Sequence, residues 1–145
     1  MRRLLMIYVS HNESDTEAFG RALAKKFPVP CVLCLYGELG AGKTAFVRGL
    51  ASGLGITATV SSPTFTIVNE YPGTPELIHF DMYRLRGSDE LFDIGWEDYL
   101  SRHAILVVEW SENVEDAFTG SEIVIRFEKR SETERLITVE GEFGC

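Results

Sequence analysis

The segment Gly37-Glu38-Leu39-Gly40-Ala41-Gly42-Lys43-Thr44 satisfies G-x-x-x-x-G-K-[ST], the spacing at which a backbone loop holds a phosphate chain. Its glycines let successive N–H groups wrap an anion, and a helix beginning at the lysine aims its positive end at the same charge. Lys43 then reaches the β- and γ-phosphates, and the Thr44 hydroxyl binds Mg²⁺. From average residue usage the bare pattern arises by chance in about one chain of this length in two hundred. Its place after an apolar run and before a helical pattern makes a ligand-free glycine turn the weaker explanation.

A nucleotide and metal site also needs carboxylates at strand ends near the loop, because phosphate-bound Mg²⁺ usually adds one or two carboxylates and several waters. Glu109 follows Ile105-Leu106-Val107-Val108, and Asp81 follows Leu77-Ile78-His79-Phe80. Glu109 is expected to serve the metal, directly or through water, and Asp81 to position an attacking water. A strand-end carboxylate in a surface ion pair is the plainer reading of each. Trp110, beside Glu109, either stacks at a nucleotide pocket or packs in the core. His79 shares a strand face with Asp81, but the three histidines form no ligand pattern, so a structural role is favoured for it. Arg84 and Arg86 read first as partners for the many carboxylates.

These residues need elements to position them. Arg2–Val9 reads as a first strand; it imitates a signal peptide but ends at Ser10-His11-Asn12-Glu13 with no small-residue cleavage site. Ser14-Asp-Thr-Glu17 has the capping-box pattern, and Ala18, Phe19, Ala22, Leu23 and Phe27 repeat behind it at helical spacing until Pro28. Cys31–Tyr36 is continuously apolar, as expected of a parallel strand covered on both faces. Ala45 to Leu54 reads as a helix ended by Gly55. Alternation around Phe65 and Ile67, the turn Pro72-Gly73-Thr74-Pro75 and the run to Asp81 form a hairpin pattern. A broken helical region over Leu91–Leu100 precedes the buried strand Ala104–Val108, and Glu122–Lys129 with Arg135–Glu140 forms a last hairpin. The expectation is an α/β fold, a single P-loop NTPase domain over 1–145 with a largely parallel central sheet plus antiparallel hairpins.

At 145 residues, the chain has apolar material for one core and no room for a separate substrate domain. With 22 acidic against 14 basic residues, the net charge of −8 opposes direct binding to a polyanion. No apolar run approaches the length that spans a bilayer. Cys31 and Cys34 have the spacing of a redox or zinc pair, but residues three apart in a strand face opposite sides. They read as buried thiols of a reduced, cytoplasmic protein.

Gly37–Thr44, Ser62-Pro63-Thr64-Phe65, His79-Phe80-Asp81-Met82-Tyr83-Arg84 and Val107-Val108-Glu109-Trp110, in that order, resemble the TsaE (YjeE) family of bacterial P-loop ATPases. The resemblance covers nearly the whole chain. It implies a role in making the threonylcarbamoyl modification on adenosine 37 of tRNA, with ATP hydrolysis supporting turnover of a TsaD–TsaB pair that carries most of the tRNA contact. Carried over, Lys43 and Thr44 hold phosphate and Mg²⁺, Glu109 serves the metal and Asp81 is needed for hydrolysis. Thr64 then lies in a switch-like segment and Thr16 near the nucleotide. Against that resemblance, Cys145 comes soon after the last strand, and any family tail is expected to be short or absent. Two other classes use the same loop: a small-molecule kinase, for which Leu85 to Ala104 offers no arginine-rich lid, and a nucleotide sensor without useful hydrolysis.

Overall fold

The computed structural model describes residues 2–38, 40–60 and 67–144. Its seven strands are β1 (Arg2–Ser10), β2 (Cys31–Tyr36), β3 (Val68–Tyr71), β4 (Glu76–Asp81), β5 (Ala104–Glu109), β6 (Ile123–Lys129) and β7 (Arg135–Phe143). The helices are α1 (Glu13–Leu23), α2 (Lys43–Gly53), α3 (Ser88–Asp93) and α4 (Trp96–Leu100), with a tight 3₁₀ segment at Ser111–Ala117. The sheet runs β1-β7-β6-β2-β5-β4-β3. Strands β6, β2, β5 and β4 are parallel neighbours, while β3 and the β7–β1 pair are antiparallel additions at the two edges. The parallel centre flanked by hairpins is the α/β P-loop architecture anticipated from the pattern.

Strand alternation sorts the core into two layers. Leu33, Leu35, Leu77, Ile105, Val107, Ile125, Ile137 and Val139 face α1 and α2, where Phe19, Leu23, Phe46 and Leu50 cover them. Ile78, Phe80, Leu106 and Val108 face the opposite layer, packed with Leu91, Trp96 and Val114. Cys31 packs against the first layer, whereas Cys34 meets Ser111 behind the second. Burial pushes both thiols up to about 12, and both are free, which agrees with inert core cysteines rather than a redox pair. Cys145 lies outside the described residues.

Helices α1 and α2 cross with backbones in close contact because small residues occupy the crossing. A Cβ at Gly49 would lie 1.8 Å from the Glu17 carbonyl oxygen, and one at Gly20 would lie 2.4 Å from that of Phe46. This close approach draws the first turn of α1 against the loop that starts α2.

Two local expectations need correction. The α1 cap is not Ser14: Asn12 is the N-cap, its side chain accepting from Asp15 N at 2.7 Å, while Asp15 Oδ2 accepts from His11 N at 3.0 Å. This is the reciprocal logic of a capping box moved two residues upstream, with Asp in place of Glu. Helix α2 begins at Lys43, two residues earlier than the apolar pattern starts, because a P-loop lysine and threonine are themselves the first helical residues.

Candidate functional site

The loop after β2 turns on glycines in conformations that side chains resist. Gly42, the N-cap of α2, has φ 103°, and a Cβ at Gly37 (φ 153°) would come within 2.9 Å of the Phe127 carbonyl oxygen. No side chain caps α2 and no acid lies in its first turn, so among the described residues no side chain accepts from the N–H groups there. Glu38 is exposed and Ala41 fully buried, the Ala41 N–H donating to Glu38 O at 3.1 Å; Leu39 lies outside the described residues. Thr44 is half-buried at the second position of α2. Thr16, 1% exposed, hydrogen-bonds Ser10 through its hydroxyl at 2.7 Å and sets its methyl 3.5 Å from where a Gly42 Cβ would stand. The α1–α2 crossing thus brings Thr16 to the loop.

Lys43 is buried, its ammonium donating to Gly37 O at 2.6 Å and lying 5.0 Å from the centre of the Trp110 ring. Trp110 also meets Tyr83, ring centres 5.0 Å apart. Its backbone is left-handed (φ 59°, ψ 41°), the one such non-glycine among the described residues, at a cost on the order of 1–3 kcal/mol. The surroundings hold it there. Met82 N donates to Glu109 O at 3.0 Å, Asn113 N to Trp110 O at 3.1 Å and Asn113 Nδ2 to Met82 O at 2.8 Å. These bonds tie the ends of β4 and β5 together and turn the chain so that the indole covers the lysine.

Asp81 and Glu109 are paired across β4 and β5, at the carboxyl ends of both strands and on the α2-facing side. Asp81 Oδ1 accepts from Tyr83 N at 2.9 Å. Burial, with the Glu109 charge adding to it, holds the Asp81 carboxyl above its ordinary pKa, although the Tyr83 N–H, His79 and Lys43 oppose the shift. Glu109 is only 4% exposed, and the one hydrogen-bond partner of its carboxylate among the described residues is His79, whose Nε2 contacts Glu109 Oε2. The sequence favours a structural role for His79; its place two residues before Asp81 on the same face is the one local signal for this contact. Arg84 and Arg86 follow on the loop, where Arg86 N donates to Glu90 at 3.3 Å. The Ser62–Phe65 segment lies outside the described residues.

Half-buried Asp81 and buried Glu109 lie close to the buried ammonium of Lys43. No group of three or more His, Cys, Asp or Glu among the described residues is arranged to hold a metal. A donor set of one or two carboxylates and a hydroxyl fits Mg²⁺ that arrives with phosphates. Thr44 and Glu109 are the residues that would hold it.

A buried strand, a glycine loop carrying Lys43 and an uncapped helix start facing strand-end carboxylates define an α/β protein of the P-loop type. Residues 10–137 match the family model described as "Threonylcarbamoyl adenosine biosynthesis protein TsaE", and the chain belongs to that family. It is 40% identical over 128 residues to the tRNA threonylcarbamoyladenosine biosynthesis protein TsaE of Bacillus subtilis, covering 88% of this chain and 80% of that one. It is 37% identical over 131 residues to the protein of the same name from Treponema pallidum, covering 90% and 97%. A crystal structure of Bacillus subtilis YdiB superposes with a TM-score of 0.81 at 33% identity, covering 97% of this chain and 88% of that one. No helix among the described residues is long and apolar enough to cross a membrane.

Proposed function

We propose that the chain binds ATP with Mg²⁺ at Gly37–Thr44 and hydrolyses it as a component of the machinery that makes N6-threonylcarbamoyladenosine at position 37 of tRNA. It acts with a TsaD–TsaB complex in the cytoplasm. The observation that carries the reading is the meeting of Lys43, Asp81 and Glu109 at an uncapped helix start, in a chain of the TsaE family. Lys43 exchanges the Gly37 carbonyl for the β- and γ-phosphates, and the first-turn N–H groups of α2 take phosphate oxygens. Thr44 and Glu109 hold the metal, which when bound neutralises phosphate charge. Asp81 orients the attacking water, and Thr16 and Trp110 flank the nucleotide.

With a net charge of −8, the chain leaves most tRNA contact to its partners. Hydrolysis must then be read out by a protein that senses the nucleotide state, and Ser62–Phe65 is the segment assigned to respond to the γ-phosphate. The experiment titrates TsaD–TsaB with this protein bound to ADP, to a non-hydrolysable ATP analogue, or to nothing, and measures ATP turnover in parallel. Slow turnover alone, faster turnover with the pair and nucleotide-dependent affinity are expected. Equal affinity in all three states would sink the switch, since a nucleotide that stabilises both conformations equally shifts nothing. Turnover that requires a small-molecule acceptor would favour a kinase.

A further inference from the structure

We propose that His79 is a positioning residue that fixes the Glu109 carboxylate for the metal; the inference rests on the ATPase reading above. His79 lies on β4 opposite Val107, and Glu109 lies two residues further along β5, opposite Asp81. The imidazole therefore reaches diagonally across the strand pair, on the face shared with α2. His79 is fully buried and Glu109 nearly so, and the hydrogen bond runs from Nε2 to Oε2. Nδ1 is buried and has no partner among the described residues.

This arrangement is a poor way to stabilise a fold. An apolar residue at the position would cover the strands without an orphaned ring nitrogen, and a buried polar pair is frequently matched or bettered by hydrophobic replacements. What the imidazole does supply is direction. A glutamate at a strand end has three rotatable bonds, and one N–H donor on Oε2 restricts them and leaves Oε1 without a hydrogen-bond partner among the described residues. The choice of histidine also matters electrostatically. At the opposite end of β4, Arg102 bonds both Glu70 at 2.8 Å and Glu76 at 2.6 Å and compensates them. An arginine beside Glu109 would set a permanent positive charge against the carboxylate, whereas an imidazole can donate a hydrogen bond through Nε2 without carrying a permanent charge.

The test compares His79→Leu, His79→Gln and His79→Asn. The Gln amide nitrogen stands where Nε2 does and can still reach Oε2, while Asn is too short. Mn²⁺ binding to the ADP complex is followed by electron paramagnetic resonance, and ADP binding is measured separately in EDTA. Leu and Asn should weaken Mn²⁺ binding about 10–100-fold, the range typical of lost partners behind metal ligands, with metal-free ADP affinity unchanged and Gln close to wild type. Wild-type Mn²⁺ affinity in the Leu variant would overturn the role, as would parallel loss of ADP affinity with and without metal. If the Leu variant does not fold, equal Mn²⁺ affinity in Gln and Asn would overturn it instead. Wild-type protein that binds no ADP under either condition would refute the ATPase reading itself, and this inference with it.

Discussion

Helices α1 and α2 have the same length, eleven residues each, and pack against one another, yet their N-termini are in opposite chemical states. The start of α1 is finished by its own sequence: Asn12 caps it, and Glu13 and Asp15 place negative charge against its positive end. The start of α2 has a glycine N-cap, no side-chain cap bond and no acid. A helix whose own side chains satisfy its first turn is scaffold, whereas one left open beside a buried ammonium has the chemistry of the phosphate site proposed above. The carboxylates repeat the contrast along β4. Glu76, at its beginning, shares Arg102 with Glu70, while half-buried Asp81, at its end, sits beside the buried carboxylate of Glu109 and has its pKa raised.

The contrast breaks most sharply at Lys43. Replacing it with Ala should weaken ATP binding by about tenfold to a hundredfold, the equivalent of roughly 1.5–3 kcal/mol for hydrogen bonds to charged groups. Calorimetric titration checks this, and unchanged affinity would mean that the open helix start is not a phosphate site. Asn12→Ala attacks the finished helix instead. It should lower stability by about 1 kcal/mol while leaving ATP affinity alone; a comparable loss of affinity would show that the two helix starts are one functional unit.

The smallest effect is expected at Asp81, with its sign set by linkage. Folding raises this carboxyl's pKa, mainly through burial, so the folded protein holds the proton more tightly than the unfolded chain. Below about pH 4, near the ordinary Asp value, the group is protonated in both states and carries no penalty. As pH rises through that value and past the folded one, wild-type stability is lost. Asp81→Asn should therefore melt modestly higher than wild type at pH 7, and the two curves should converge in acid. A variant that melts lower at pH 7 would mean that the Tyr83 hydrogen bond outweighs the burial and repulsion of the charge.

The loop, its lysine and both strand-end acids are legible in the sequence because each is marked by local pattern: glycine spacing, or an apolar run closing on a carboxylate. The two sheet faces follow from period-two alternation. The α1 cap is ambiguous at that level because Ser14 with Glu17 and Asn12 with Asp15 both satisfy a capping pattern, and only backbone conformation decides that Asn12 begins the helix. Thr16 is marked by family resemblance alone. Its physical connection to Gly42 depends on the glycine-lined crossing of α1 and α2, which no short window of sequence contains.

By itself the sequence determined the order of elements, the glycine loop with its lysine and the identity of the acids, since these depend on residues within a few positions of each other. The tertiary structure decided who partners whom. It set Trp110 over Lys43 in a strained turn, joined His79 to Glu109 across two strands and placed Asp81 beside a second carboxylate. Those pairings depend on sheet register and helix crossing, which are properties of the whole packed core and of no single segment.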